Sequence, residues 1–277
     1  MSRSAWILAA MLLCAASSAS AQTAPVTPTP PDFPRGKISG YIFGDYYYNV
    51  TGDLGHGYNA AGQDTVAKVN IDGSTAKLIG KDLNGIQIRR VYFQLDNDLS
   101  VKYSTRVRLE IDSKSLSSDG KLGVNVKAAY ALARSVIPRG DLYLGMVSTP
   151  LVETAEDFWQ YRSIEKTLPD FRGLGGSADI GVLLKGFFDP NHRVGYSALI
   201  SNGTCQKPED NRDKKYALAV PVRVGDLRVE PYVDYETAFG GKDRATYKVL
   251  AGYEFRKFAV GAEAVDRVNH KPTGPNQ

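Results

Sequence analysis

Between Tyr103 and Asp112 the chain alternates without a fault. Tyr103, Thr105, Val107, Leu109 and Ile111 fall on one side; Ser104, Arg106, Arg108, Glu110 and Asp112 fall on the other. A period of two is the mark of a β-strand. A strand divided this way keeps one face in an apolar medium and the other in a polar one. Residues 84–96 repeat the pattern, with Val91, Phe93 and Leu95 opposing Arg90, Tyr92, Gln94 and Asp96. Residues 124–136 set Val126, Ala128, Tyr130 and Leu132 against Asn125, Lys127, Ala129 and Ala131. Segments 36–50, 141–147, 179–185, 193–201, 215–224, 227–236, 245–256 and 258–265 alternate as well. About eleven strands are therefore expected, and the chain is all-β.

The spacing of these strands has its own rhythm. Short turns fall near Asn97, Pro138, Asp189, Gly225 and Arg256. Long polar connections follow Val50, Asp112, Ser148, Ser201 and Glu236. Short and long connections in alternation imply an antiparallel up-and-down transmembrane β-barrel, with turns on one side of an outer membrane and loops on the other. Strands of about ten residues suit a tilted crossing of the bilayer. An odd strand count does not suit a bacterial barrel, and the polar end at 269–277 leads us to expect a chain truncated before its closing strands. A secreted β-sandwich or lectin-like binding module also alternates. The export signal, the lack of disulfides and the loop rhythm weigh against it.

The N-terminus points to export. Arg3 precedes an apolar run, and Ala19-Ser20-Ala21 has the small-x-small form of a cleavage site. Residues 1–21 are expected to be a signal peptide rather than an anchor helix, because the run is too short to span. Residues 22–35 hold five prolines and form a stiff leader. Residues 36–277 form the expected barrel domain. With Cys14 in the signal, Cys205 has no disulfide partner, so backbone pairing or a large core must supply stability. No later segment is apolar enough for a helical span, and a net charge of +4 is too weak to argue for nucleic acid.

Residues 148–177 break the alternation between two strands. A segment of this length without strand pattern is usually functional. It holds Glu156, Asp157, Trp159, Tyr161, Arg162, Glu165 and Lys166, the candidate constriction residues. It is the third long loop, expected to fold inward. Thr154 to Asp157 fits a capping box, so a short helix is expected to begin there. Phe158, Trp159 and Tyr161 are candidates to anchor it on the inner wall, or to pack it on a neighbouring subunit. Across from it, Arg90, Arg106, Arg108 and Lys127, with Glu110 and Asp112, are the expected pore-lining set. A basic wall opposite an acidic-leaning loop is a device for ion selectivity. Asp96, Arg193, Arg228, Glu230, Asp234, Lys248 and Glu254 fall on the same polar faces. His56, His192 and His270 sit in expected loops or turns without metal spacing. No cofactor, metal or catalytic constellation is expected.

Four segments together resemble a known group. They are Asn84 to Phe93 (NGIQIRRVYF), Tyr103 to Glu110 (YSTRVRLE), Leu144 to Pro150 (LGMVSTP) and Trp159 to Lys166 (WQYRSIEK). In this order the chain is similar to outer-membrane porins of the phosphate-selective porin O/P type. The resemblance implies sixteen-stranded barrels in a homotrimer, with loop three inside. It also implies a bacterial outer-membrane location, contact with its lipid, and passive diffusion of small solutes or ions. The loop carries no run of lysine and arginine, so a general, weakly selective constriction is expected rather than a phosphate site. A non-conducting structural or adhesive barrel is the other outer-membrane reading.

Overall fold

Alternation resolves into a single twelve-stranded sheet in which every pairing is antiparallel. The computed structural model describes residues 32–51, 67–69, 75–77, 82–112, 121–238 and 242–270. The expected signal peptide, most of the proline-rich leader and the tail at 271–277 lie outside them. β1 is Arg35–Tyr48. β2 (Ala67–Val69) and β3 (Thr75–Lys77) pair only with each other, inside a stretch expected to be plain loop. β4 (Asn84–Asp98), β5 (Tyr103–Asp112), β6 (Asn125–Ile137) and β7 (Gly140–Ser148) follow. After the long loop come β8 (Ala178–Phe187), β9 (Gly195–Ser201), β10 (Lys215–Ala219) and β11 (Val222–Val224). β12 (Leu227–Glu236), β13 (Arg244–Phe255) and β14 (Phe258–Asn269) complete the order. Strands of the main sheet pair in sequence order, from β1–β4 at one end to β13–β14 at the other, with both β10 and β11 pairing with β12.

The expected eleven segments become twelve because 215–224 splits. Pro221 has no N–H to give the ladder, so β10 stops at Ala219 and β11 resumes at Val222. The turns are tight where expected. Val224 pairs with Leu227 around Gly225-Asp226, and Gly225 has a φ of 60°. That left-handed value suits the primed turns that match strand twist. Phe255 pairs with Phe258 in the same way, with Arg256 at φ 52°.

The faces follow the alternation except at bulges in β4, where Phe43 pairs with Arg90 and Gly44 with Ile88 so that Arg89 is the extra residue, and in β6. Arg108 pairs with Ala128, and Leu109 with Val126, so Lys127 is a bulge residue. A bulge reverses the parity of the strand beyond it. Lys127, Ala128 and Tyr130 therefore all line cavities on the inner side, whereas Ala128 and Tyr130 were expected on the face opposite Lys127.

The burial is inverted relative to a soluble sheet. Ile42, Leu144, Val249 and Phe258 are exposed, at 68%, 58%, 50% and 73%. Glu110, Glu230, Asp234 and Lys248 on the opposite face are all buried. The segment between β7 and β8 occupies that charged side. It touches inner-face residues from β6 (Lys127), β8 (Lys185), β13 (Lys248) and β14 (Gly261). The sheet therefore curls around it.

Candidate functional site

The loop begins as a helix, Pro150–Trp159, with Thr149 as N-cap. It starts four residues before the expected capping box at Thr154. Pro150 explains the earlier start: its fixed φ suits the first helical position, where no N–H is needed. Thr149 makes no side-chain cap; its hydroxyl donates to the Gly176 carbonyl at 2.6 Å, closing the loop's base. Gln160 ends the helix in the left-handed region, and its N–H donates to the Glu156 carbonyl. A second helical turn, Leu168–Phe171, precedes the return to β8.

The helix is seated by an apolar stripe. Leu151 and Val152 are 1% exposed and pack with Val147, Leu183, Leu199, Ala217, Ala219 and Tyr232, and Ala155 beside them is 3% exposed. This is the main apolar core among the described residues, and it lies inside the sheet, under the loop. Phe158 extends the stripe. A Cβ at Gly252 or Gly261 would come within 2.6 or 2.5 Å of its ring, so those strands admit it only as glycines. Trp159 and Tyr161, expected as co-anchors, pack edge-to-face on each other at 5.5 Å and stay 40% and 57% exposed. The Trp159 indole donates to the Glu165 carbonyl at 3.1 Å.

The wall residues come together on β4, β5 and β6, largely in ion pairs. Glu110 is 3% exposed and takes Arg90 at 3.0 Å and Lys127 at 3.3 Å, with the Tyr92 hydroxyl donating at 2.9 Å. Lys127 also donates to the Ser177 hydroxyl of the loop at 2.8 Å. Arg106 pairs with Asp96 at 2.5 Å. Arg108 differs: its Nε donates to the Gln94 amide oxygen at 2.6 Å, and it forms no ion pair among the described residues. Asp112 faces Arg90 across the ladder and shares a cavity wall with Arg162 and Lys166.

The loop's charges are also matched locally. Arg162 lies 3.2 Å from Glu156 and 3.1 Å from Asp170, and Lys166 lies 3.1 Å from Asp170. The Lys166 N–H donates to the Glu165 carboxylate. Glu153 pairs with Lys185 of β8 at 2.6 Å. The expected basic wall opposite an acidic loop is thus reduced, because most charges on each side are already paired. Burial pushes the Glu156 carboxyl above its ordinary value, against the pull of Arg162. Burial and the nearby Glu153 do the same to Asp157. Burial works the same way on Asp170, but Lys166 and Arg162 outweigh it and hold that carboxyl below its ordinary value.

Three cavities separate loop and wall, the one bordered by Asp112, Arg162 and Lys166 measuring about 220 Å³. One of about 160 Å³ is lined by Arg106, Arg108, Tyr130, Tyr143, Glu153 and Lys185. One of about 80 Å³ is lined by Tyr41, Tyr92, Arg108, Lys127, Glu156 and Arg162. Arg108 borders both. A larger one of about 380 Å³ lies toward the short turns, between Glu153 and Asp157 of the helix and Arg193 and Arg228 of the sheet. Leu151 and Val152, fully buried in the seat, are not singled out by the sequence. Their signal was the helical spacing of 151, 152, 155 and 158 within a stretch without β-alternation. No group of metal-binding side chains occurs among the described residues. No protein-family model matches the chain, and no curated protein matches it.

Proposed function

We propose that the chain is the wall and constriction of a bacterial outer-membrane porin, passing small hydrophilic or ionic solutes by diffusion. The observation that carries this reading is the inverted burial. Apolar side chains cover the outside of the sheet, and paired charges line the inside around one inserted loop. In water this costs heavily, since the exposed apolar face is far larger than a soluble surface tolerates. In a bilayer it is the favoured arrangement, and strands of 10 to 15 residues such as β4 and β5 reach across the apolar layer. The resemblance to porins of the phosphate-selective porin O/P type implies a closed barrel of sixteen strands and a homotrimer.

In this reading the passage runs beside the β4–β6 wall, where Arg108 is a guanidinium without a carboxylate partner among the described residues. Solutes meet mostly paired charges that cost little to pass, and the Arg108 cation on the wall biases the traffic there toward anions. The packed seat of the loop helix favours a second reading, a plugged barrel with a structural role. Purified protein in planar bilayers separates the two. Stepwise currents with a reversal potential of anion sign in a salt gradient support the porin. Inserted, heat-modifiable protein that carries no current supports the plug. Protein that is fully soluble without detergent sinks both.

A further inference from the structure

Lys248 stands apart from every other charged group of the inner face. Its side chain has no exposure at all, deep on β13. The ammonium donates to the Leu151 carbonyl oxygen at 2.5 Å, in the first turn of the loop helix. It lies 2.8 Å from Glu230 of β12 and 3.7 Å from Glu263 of β14, and 5.6 Å from the centre of the Tyr232 ring. One cation therefore joins three adjacent strands to the loop.

This placement is not explained by the helix itself. A positive charge near a helix N-terminus opposes the macrodipole. A buried ion pair gains little over a well-packed apolar one. What the arrangement supplies is position, because the carbonyl it holds belongs to the backbone of the segment that fills the sheet. Removing one partner of a buried pair leaves the other charge stranded, so the three groups act as one unit.

We propose that Lys248 is the positioning residue that clamps the loop helix to the β12–β14 side, and so fixes the passage on the β4–β6 side. This rests on the constriction reading for its functional meaning. The clamp is a separate physical claim. Toward β12–β14 the helix is held by Lys248 and by Phe158 against Gly252 and Gly261. Its apolar stripe sits on β7–β10 and Tyr232, with Glu153 paired to Lys185 of β8. Toward β4–β6 the Lys127–Ser177 contact ties the loop's return. Releasing Lys248 frees the helix to shift toward Arg106 and Arg108, the cavity side.

The test compares wild type with the Lys248→Met, Glu230→Gln double variant in lipid. The double variant removes the cation and the closer carboxylate together, and so avoids stranding Glu230. Trypsin cleavage after Arg162 and Lys166 is followed by mass spectrometry, alongside single-channel recording. The expected result is at least a tenfold rise in cleavage within the loop while the strands stay intact, with larger open-level current noise. Loop cleavage at the wild-type rate overturns the clamp. A wild type that carries no current removes the porin reading, yet the cleavage comparison still decides the clamp. Should the variant not insert, wild-type hydrogen exchange decides. Amides of 152–158 are expected to exchange as slowly as those of β12 and β13. Exchange as fast as in the connection 202–213 overturns the proposal.

Discussion

The two halves of the inner face treat the same loop in opposite ways. The β8–β13 half presents Leu183, Leu199, Ala217, Ala219 and Tyr232, and packs the helix as a protein core packs. Its charges, such as Lys215–Asp234 at 2.9 Å, are sealed away. The β4–β6 half presents arginines, a lysine and tyrosines, and meets the loop across polar cavities, whereas the cavity of about 380 Å³ on the other half lies beside the packed seat, toward the short turns. The difference shows that a polar-looking strand face has two uses. It can hold water, or it can build a buried seat around small apolar residues and neutralised pairs. Alternation of residue types cannot tell these apart, since both read as the inward face.

Breaking the packed half has the largest expected effect. Leu151→Ala empties a fully buried seat, and a buried Leu-to-Ala change costs about 2–5 kcal/mol. Unfolding in detergent should show that loss, with loop cleavage by trypsin rising in parallel. An unchanged midpoint would mean the helix is not seated there.

A smaller effect is expected from Glu156, at the border of the two halves. Burial raises its carboxyl above the ordinary value. A raised carboxyl contributes stability that is fully present below the unfolded value and lost as pH rises through the folded one. At neutral pH the ionised group is therefore a cost, and Glu156→Gln should melt above wild type. The gap should close as pH falls below the ordinary carboxylate value of about 4.3. Asp170 has the opposite sign, but both proteins keep it, so it cancels. A gap that widens in acid would reverse the assignment.

The open half is tested by Arg108→Gln. A unit charge about 4 Å from a passing ion in water is worth about 1 kcal/mol, or about a fivefold change in preference. The reversal potential should move toward cations while stability stays within about 0.5 kcal/mol. No movement would leave the wall without a role in selectivity. The smallest effect is expected at the exposed Arg134–Asp98 pair, 2.8 Å apart at the turn end of the wall. Exposed pairs contribute about 0–1 kcal/mol. Arg134→Gln should therefore alter neither melting nor current measurably, and a clear change in either would place that end of the wall in the conduction path.

Most of the sheet was legible in the sequence, and the failures have local causes. In β5 the faces appear as the alternation dictates, because ten residues run without a bulge. In β6 they do not, because the extra residue at Lys127 reverses parity and no side-chain pattern announces it. Pro221 split a strand that alternates on paper. The loop's charged residues were visible as a cluster, but their pairing within the loop depends on how the chain folds back at Gln160 and Arg172. Lys248 appeared as one inward charge among many. Its distinction is the Leu151 carbonyl, a contact between residues far apart in sequence.

The assignment of the two faces to lipid and water is tested most directly by a spin-label scan of β5. Single cysteines at residues 103–112, in a Cys205→Ser background, are placed in lipid vesicles and probed with oxygen and with a water-soluble nickel complex. Labels at 103, 105, 107, 109 and 111 are expected to favour oxygen, and those at 104, 106, 108, 110 and 112 to resist it, with a period of two. Equal access to the nickel complex along both faces, or the opposite phase, would contradict a membrane wall.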